Sequence, residues 1–199
     1  MKESEARQKV VDVAKSFLGC KKSDETHKEI INGYNSIKSK NAYTMQLSDA
    51  YCAAFASFVG NKAGFGSIIP IECSCQRLIE LFKNLGCWEE DGTVIPKTGD
   101  YIFFNWDDGT QPNDGWSDHV GIIVGVSGDN ITLIEGNNAN GEVGTSVIKV
   151  GWGFIRGYGL PRYDLVSSNE ESYDEVYALG EVVSFTGNTH YTGSYENAN

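Results

Sequence analysis

Histidine is scarce in this chain. Only three, at positions 27, 119 and 190, occur in 199 residues, and this limits every site whose chemistry needs an imidazole. Positive charge is also short, with 16 Lys and Arg against 27 Asp and Glu, a formal net charge of -11. A surface of that sign does not gather phosphates, which excludes nucleic acid as a partner and argues against an anionic membrane surface, since both need clustered Lys and Arg. Long apolar runs are missing: nothing approaches the ~18 consecutive residues of a membrane span. The N-terminal MKESEARQKVVDVAKSFLG mixes charges throughout and gives no apolar core of a signal peptide. The expectation is a chain made in the cytoplasm without a signal peptide and without stable membrane insertion. The five cysteines (20, 52, 73, 75 and 87) are an odd number in a chain large enough not to need staples, so reduced thiols fit better than a disulfide framework.

What is present suffices for one main domain with a proper core: 40% of residues are hydrophobic and 12% aromatic. Val10, Ala14 and Phe17 form one helical stripe, with Val11 and Leu18 beside it and Gly19 as a natural stop. Thr26 and Glu29 have capping-box spacing ahead of Ile30, Tyr34 and Ile37, predicting a second helix. A buried helix is expected through AYCAAFASFVGNKAGFG after Asp49, and another through Leu78, Ile79, Leu81, Phe82 and Leu85 before Gly86. At PKTGDYIFFNW the pattern changes to strands: Tyr101 to Phe104, then HVGIIVGV, NITLIEG and TSVIKV at short spacing. Helices first and strands second predict an α+β fold, with N-terminal helices packed on one face of a C-terminal antiparallel sheet.

Residues 1–163 form the expected domain. Residues 164–175 lie in an acidic, serine-rich stretch with the composition of a linker. Residues 176–199 read as a short β tail, too small to bury a core alone.

The stretch DAYCAAFASF raises the question of whether Cys52 is core filler or a nucleophile. With Asp49 as N-cap, Cys52 is the third residue of the helix, where free N–H groups and the positive end of the dipole stabilise a thiolate. A thiolate nucleophile needs a base, and the base needs a partner that fixes its tautomer. His27 is expected on the exposed side of its helix and His190 in the tail, both as surface residues. His119 opens the strand HVGIIVGV. If Val126 pairs with Asn130 across the loop Ser127-Gly128-Asp129, His119 falls opposite Asn137 and Gly121 opposite Glu135. His119, Glu135 and Asn137 then share a face, with Gly121 leaving room for the glutamate. Either Glu135 or Asn137 can accept from one imidazole nitrogen, leaving the other for Cys52.

Other clusters carry less. Cys73, Cys75 and Cys87 make a poor zinc pattern without a suitable histidine and are expected as buried or partly buried thiols. The acidic loop with Asp107, Asp108, Asp114 and Asp118 lacks EF-hand spacing and reads as a solvated loop. No metal and no cofactor is expected.

The ordered set AYCAAFASFV, KTGDYIFFNW, SDHVGIIVGV, ITLIEGNN and IRGYGLP, over about residues 5 to 163, resembles the CHAP family (cysteine, histidine-dependent amidohydrolase/peptidase), a papain-like group that cuts bacterial peptidoglycan. The resemblance places the nucleophile on Cys52, the base on His119, and the orienting acid and nearby amide on Glu135 and Asn137. It implies acyl transfer to Cys52 from an amide of the wall, with the Cys52 backbone N–H as one oxyanion donor. Family members often carry Trp where this chain has Tyr51, a departure in the groove wall. Tyr51, Trp106 and Trp116 are the expected substrate-binding residues, and a phage-type lysin released by a holin-like partner is the expected setting. The opening of the tail is similar to the start of SH3-like wall-binding repeats. The competing readings are a non-catalytic wall-binding or structural protein on the same scaffold, and a papain-like protease acting on proteins.

Overall fold

The computed structural model describes residues 1–167. Four helices come first: α1 (Glu3–Ser16), α2 (Glu25–Ile37), α3 (Cys52–Lys62) and α4 (Cys75–Asn84). The strands follow as β1 (Trp88–Glu89), β2 (Tyr101–Phe104), β3 (His119–Ser127), β4 (Asn130–Glu135), β5 (Gly144–Lys149) and β6 (Ile155–Gly159), closed by a 3-10 turn at Tyr163–Leu165. They make one antiparallel sheet in the order β1-β6-β2-β3-β4-β5. The expected α+β arrangement is therefore the observed one.

In α1 the stripe Ala6, Val10 and Ala14 is fully buried. The helix stops ahead of Gly19, whose φ of 82° suits glycine, so Leu18 lies past the helical turns and is exposed rather than continuing the stripe. Helix α2 is capped by Asp24, whose side chain accepts from the His27 N–H, and not by Thr26. His27 lies on the buried stripe of this helix with Ile30 and Tyr34. It is fully buried, its Nδ1 accepts from the Ser23 N–H, and its ring meets Tyr51 edge-on at 4.5 Å. The expected surface position of His27 is thus corrected; His190 lies outside the described residues.

Helix α3 is buried from Cys52 through Gly60 without interruption, as expected of a helix surrounded by protein on all sides. It packs against α1, α2, α4, β3 and β4. The sheet meets the helices through Tyr101, Phe103, Val120, Ile122 and Ile134. The alternate residues Ile102, Phe104, Ile123, Leu133, Ile155 and Tyr158 form a second, smaller cluster on the other face. Arg7 of α1 fixes the turn before β2, donating to Asp100 Oδ1 at 2.7 Å and to the Thr98 carbonyl at 3.0 Å.

The β3–β4 hairpin reaches the expected register by another route. Its turn is tighter, with Ser127 opposite Asn130, so the pairing starts one residue away from the expected one. A bulge at Val124 then restores it: Ile123 faces Leu133 and Ile122 faces Ile134. The pairing ends at Ile122 and Ile134, one residue short of Gly121 and Glu135, and Asn137 lies past the end of β4. The space beside Gly121 is filled by Leu133 rather than by the glutamate, since a Cβ there would lie 2.5 Å from Leu133 Cδ1.

Candidate active site

Cys52 is the first residue of α3. The N-cap is Tyr51, without a side-chain cap bond, while Asp49 closes the preceding turn by accepting from the Gln46 N–H. The expected cap is therefore replaced, and Cys52 moves from the third to the first helical position. It still stands among the first-turn N–H groups that have no partner within the helix, in the positive end of the dipole.

Glycine at 136 brings this helix end close to the end of β4. A Cβ on Gly136 would sit 2.8 Å from Phe55 Cβ, so the backbone after Glu135 can pass under α3 only as glycine. Beyond it, Asn137 adopts a left-handed φ of 54°.

His119, at the start of β3, is buried. Its Nε2 is 2.8 Å from Glu135 Oε2, and the Ser146 hydroxyl of β5 donates to Glu135 Oε1. Ser146 can do so because β5 pairs Ser146 with Leu133 and Gly144 with Glu135, which puts Ser146 and Glu135 diagonally on one face. With Nε2 engaged by the carboxylate, Nδ1 is the nitrogen left for the thiol, and the Cys52 thiol and the imidazole each shift the other's protonation toward its charged form. A second thiol completes the cluster: Cys75, first residue of α4, has its Sγ 3.6 Å from the Cys52 Sγ.

The electrostatics follow from these contacts. The Cys75 thiol donating to Cys52 and the adjacent His119 together outweigh the desolvation of a buried anion and hold Cys52 well below the usual thiol range. Desolvation opposes charge on His119, but Cys52 and Glu135 overcome it and push the imidazole up to about 9. Burial works against the Glu135 carboxylate, yet the bonds from His119 and Ser146 keep it below its ordinary value. Hydrogen bonding to Cys52 together with burial pushes Cys75 well up. These shifts favour the thiolate of Cys52, the imidazolium of His119 and the carboxylate of Glu135, beside a Cys75 thiol held in its protonated form.

A cavity of about 470 Å³ opens on the side of the sheet away from the helices. His119, Glu135, Asn137 and Ser146 line its polar part and Phe104, Trp106 and Trp152 its aromatic part. Trp106 stacks on Phe104 with ring centroids 4.9 Å apart, and its backbone N–H is held by Asp118 at 2.9 Å.

Residues 41–137 match the family model described as the CHAP domain. These residues carry a CHAP domain. The family comprises cysteine- and histidine-dependent amidohydrolases and peptidases acting on peptidoglycan, and membership implies a cysteine-dependent hydrolase or peptidase. No curated protein matches the chain. Among solved structures it is similar to an NlpC/P60 family protein from Bacillus cereus, at 16% identity over 79% of this chain and 40% of that one, TM-score 0.41. It is also similar to Ly7917, at 17% identity over 68% of this chain and 62% of that one, TM-score 0.39. Ly7917 with the hydrolyzing product of MDP gives 15% identity and a TM-score of 0.40 over the same shares. The chain thus spans less than two thirds of the length of these proteins.

The CHAP match includes Cys52, Cys75, His119, Glu135 and Asn137. Asn137 borders the cavity, but the imidazole bond goes to Glu135. Trp106 lines the cavity as expected of a groove residue, whereas Trp116, 68% exposed, is not part of that lining. Tyr51 does not fit a substrate-contact role, because it is fully buried with its hydroxyl donating to the Gly141 carbonyl. In the acidic loop, Asp108 accepts from the N–H and hydroxyl of Thr110 and Asp118 from Trp106. Sequence reasoning passed over Ser146, Trp152 and Cys75. The alternation of TSVIKV puts Ser146 and Ile148 on one face and was the available signal for the first; nothing local marks Cys75 as the neighbour of Cys52.

Among the described residues no helix is long and apolar enough to cross a membrane.

Proposed function

We propose that this CHAP domain hydrolyses an amide bond of bacterial peptidoglycan, with Cys52 as nucleophile, His119 as acid and base, and Glu135 as the group that orients and charges the imidazole. The Cys52 thiolate attacks the amide carbonyl, forming the C–S bond, and His119 Nδ1 gives its proton to the departing amine. The neutral imidazole then takes a proton from water, whose oxygen attacks the thioester. The C–S bond breaks, the acid product leaves, and thiolate and imidazolium are restored. The Cys52 backbone N–H is the nearest candidate donor for the oxyanion. Asn137 borders the site without holding the imidazole, and Trp106 and Trp152 offer flat surfaces to the sugar-peptide strand.

The observation that carries this reading is the Cys52–His119–Glu135 chain, with the thiol at a helix N-terminus and the carboxylate 2.8 Å from the far imidazole nitrogen. Mass spectrometry of fragments released from purified walls tests it. New amine and carboxyl termini should appear with the native chain and not with Cys52→Ala, and their position separates an N-acetylmuramoyl-L-alanine amidase from a stem or cross-bridge endopeptidase. Release by Cys52→Ala at the native rate would end the reading. Residues 164–175 are proposed as a linker and 176–199 as the start of a wall-targeting segment. These lie outside the described residues beyond 167, and the proposal rests on their composition.

A further inference from the structure

Of the five cysteines, two have partners of their own and a third stands in a loop. Cys20 Sγ faces Asp24 Oδ1 at 3.7 Å, Cys87 Sγ faces the Phe82 carbonyl at 3.6 Å, and Cys73 is half-buried in the loop before α4. Cys52 and Cys75 instead face each other, Sγ to Sγ at 3.6 Å, each at the first position of its helix. The pair is held in place from outside. Ser57 of α3 donates its hydroxyl to the Glu72 carbonyl at 2.8 Å and accepts the Glu72 N–H at 3.0 Å, clamping the loop that leads into α4 against α3. Glu72 Oε1 in turn accepts from the Cys73 and Ser74 N–H groups.

We propose that Cys75 is the resolving thiol of an oxidation site at Cys52: a small peroxide oxidises Cys52, and Cys75 closes it to a Cys52–Cys75 disulfide that reversibly blocks the nucleophile. The proposal rests on the reading of Cys52 as the reactive thiolate of the domain. In the first step the Cys52 thiolate attacks one oxygen of hydrogen peroxide. The O–O bond breaks, Cys52 becomes a sulfenic acid, and the departing hydroxide takes the His119 proton and leaves as water. In the second step Cys75 sulfur attacks the sulfenic sulfur. The S–S bond forms, the S–O bond breaks, and the hydroxide leaves as water with the Cys75 proton. Each cysteine gives up one electron, and the peroxide is reduced to two waters.

The geometry selects the oxidant. Cys52 is 5% and Cys75 7% exposed, so hydrogen peroxide, little larger than water, reaches the sulfurs more easily than a bulky disulfide does. Bond formation shortens the sulfur separation from 3.6 Å to about 2.05 Å. The functional consequence is protection: a sulfenic acid without a neighbouring thiol proceeds to the irreversible sulfinic acid, whereas the disulfide is returned by a thiol reductant.

The test uses the full chain treated with graded hydrogen peroxide, read by intact mass and by non-reducing peptide mapping. The expected product is a loss of about 2 Da with Cys52 and Cys75 in one cross-linked peptide pair. Wall lysis should fall to the level of Cys52→Ala and return to the untreated level on adding dithiothreitol. In Cys75→Ser, compared with its own untreated activity, the same dose should give a gain of about 32 Da at Cys52 and no recovery. A sulfinic acid at Cys52 in the native chain, a cross-link to another cysteine, no mass change, or equal recovery in Cys75→Ser would overturn the proposal. The native-chain map decides the matter even if the variant fails to fold. Because it reads a bond and not a rate, it also stands apart from wall lysis: an untreated chain that never releases wall fragments refutes the hydrolase reading and leaves the mass result to be judged alone.

Discussion

Replacing Glu135 by Gln removes the carboxylate that holds the His119 imidazole at 2.8 Å. The amide keeps the shape of the side chain, and the Ser146 hydroxyl can still donate to its oxygen, so the perturbation is confined to charge. In the native site His119 is raised from 6.5 to about 9, a preference for the imidazolium of about 3 kcal/mol at 1.36 kcal/mol per unit. Cys52 and Glu135 share that preference against the opposing desolvation. A hydrogen bond to a charged group contributes about 1.5–3 kcal/mol, so losing the carboxylate should bring the imidazolium down by about 1–2 pH units. His119 supplies the proton for the leaving amine, so activity is lost as pH rises through its pKa. The alkaline limb of kcat/KM, expected near 9 in the native chain from the raised His119, should move to about 7–8 in Glu135→Gln, with a loss of about two- to tenfold at pH 8 from the lost imidazolium. Wall clearance measured from pH 6 to 10, with melting temperatures alongside, gives the answer. An alkaline limb in Glu135→Gln that coincides with the native one would refute the assignment.

The same pair carries an opposite pH signature in stability. His119 has a raised pKa, so its contribution is full below its unfolded value and fades as pH rises toward about 9. Glu135 has a lowered one, so its contribution is present above its unfolded value and fades as pH falls through the folded value.

Asn137→Ala should slow turnover less than Glu135→Gln on one wall substrate, and the reverse order would transfer the orienting role to the amide. Trp106→Ala should raise KM about fivefold through loss of a ring contact worth about 1 kcal/mol, while Trp116→Ala should change it less than about twofold; equal effects in steady-state kinetics would count against the cavity as the groove. Gly136→Ala forces Phe55 aside and should lower stability by about 1–3 kcal/mol in denaturant titration and activity with it; an unperturbed variant would show that the close approach does not matter. Truncation after Ser167 should leave the melting temperature and cleavage of a small soluble muropeptide unchanged while slowing attack on whole walls through loss of the proposed wall-targeting segment; a drop of several degrees would assign the removed residues to the main unit.

The helices and the four strands of the second half were legible because their apolar residues repeat at clear periods. The two flanking strands were not: Trp88–Glu89 has two residues, and Ile155–Gly159 contains Gly157 and Gly159 in five, which removes the side-chain alternation that marks a strand. The hairpin register could be written down correctly only because a tighter turn and a bulge at Val124 compensate one another. His119 and Glu135 followed from that register. His27 was misplaced although it lies three residues before Ile30 and seven before Tyr34, on the buried stripe of α2. Cys75 was invisible as a partner of Cys52 because the contact is made between two helix starts separated by a loop, and no periodicity within either helix encodes it.

The central claim is that Cys52 is a thiolate held by His119 and Cys75 at neutral pH, and the rate of its alkylation by iodoacetamide across pH tests this most directly. With the label assigned to Cys52 by peptide mapping, the account predicts a rate already at its plateau near pH 7 and a fall only at lower pH, where the thiolate is protonated. A Cys52 rate that instead rises about tenfold per pH unit up to the ordinary thiol range would mean that the buried thiol is protonated at neutral pH, and would contradict the account.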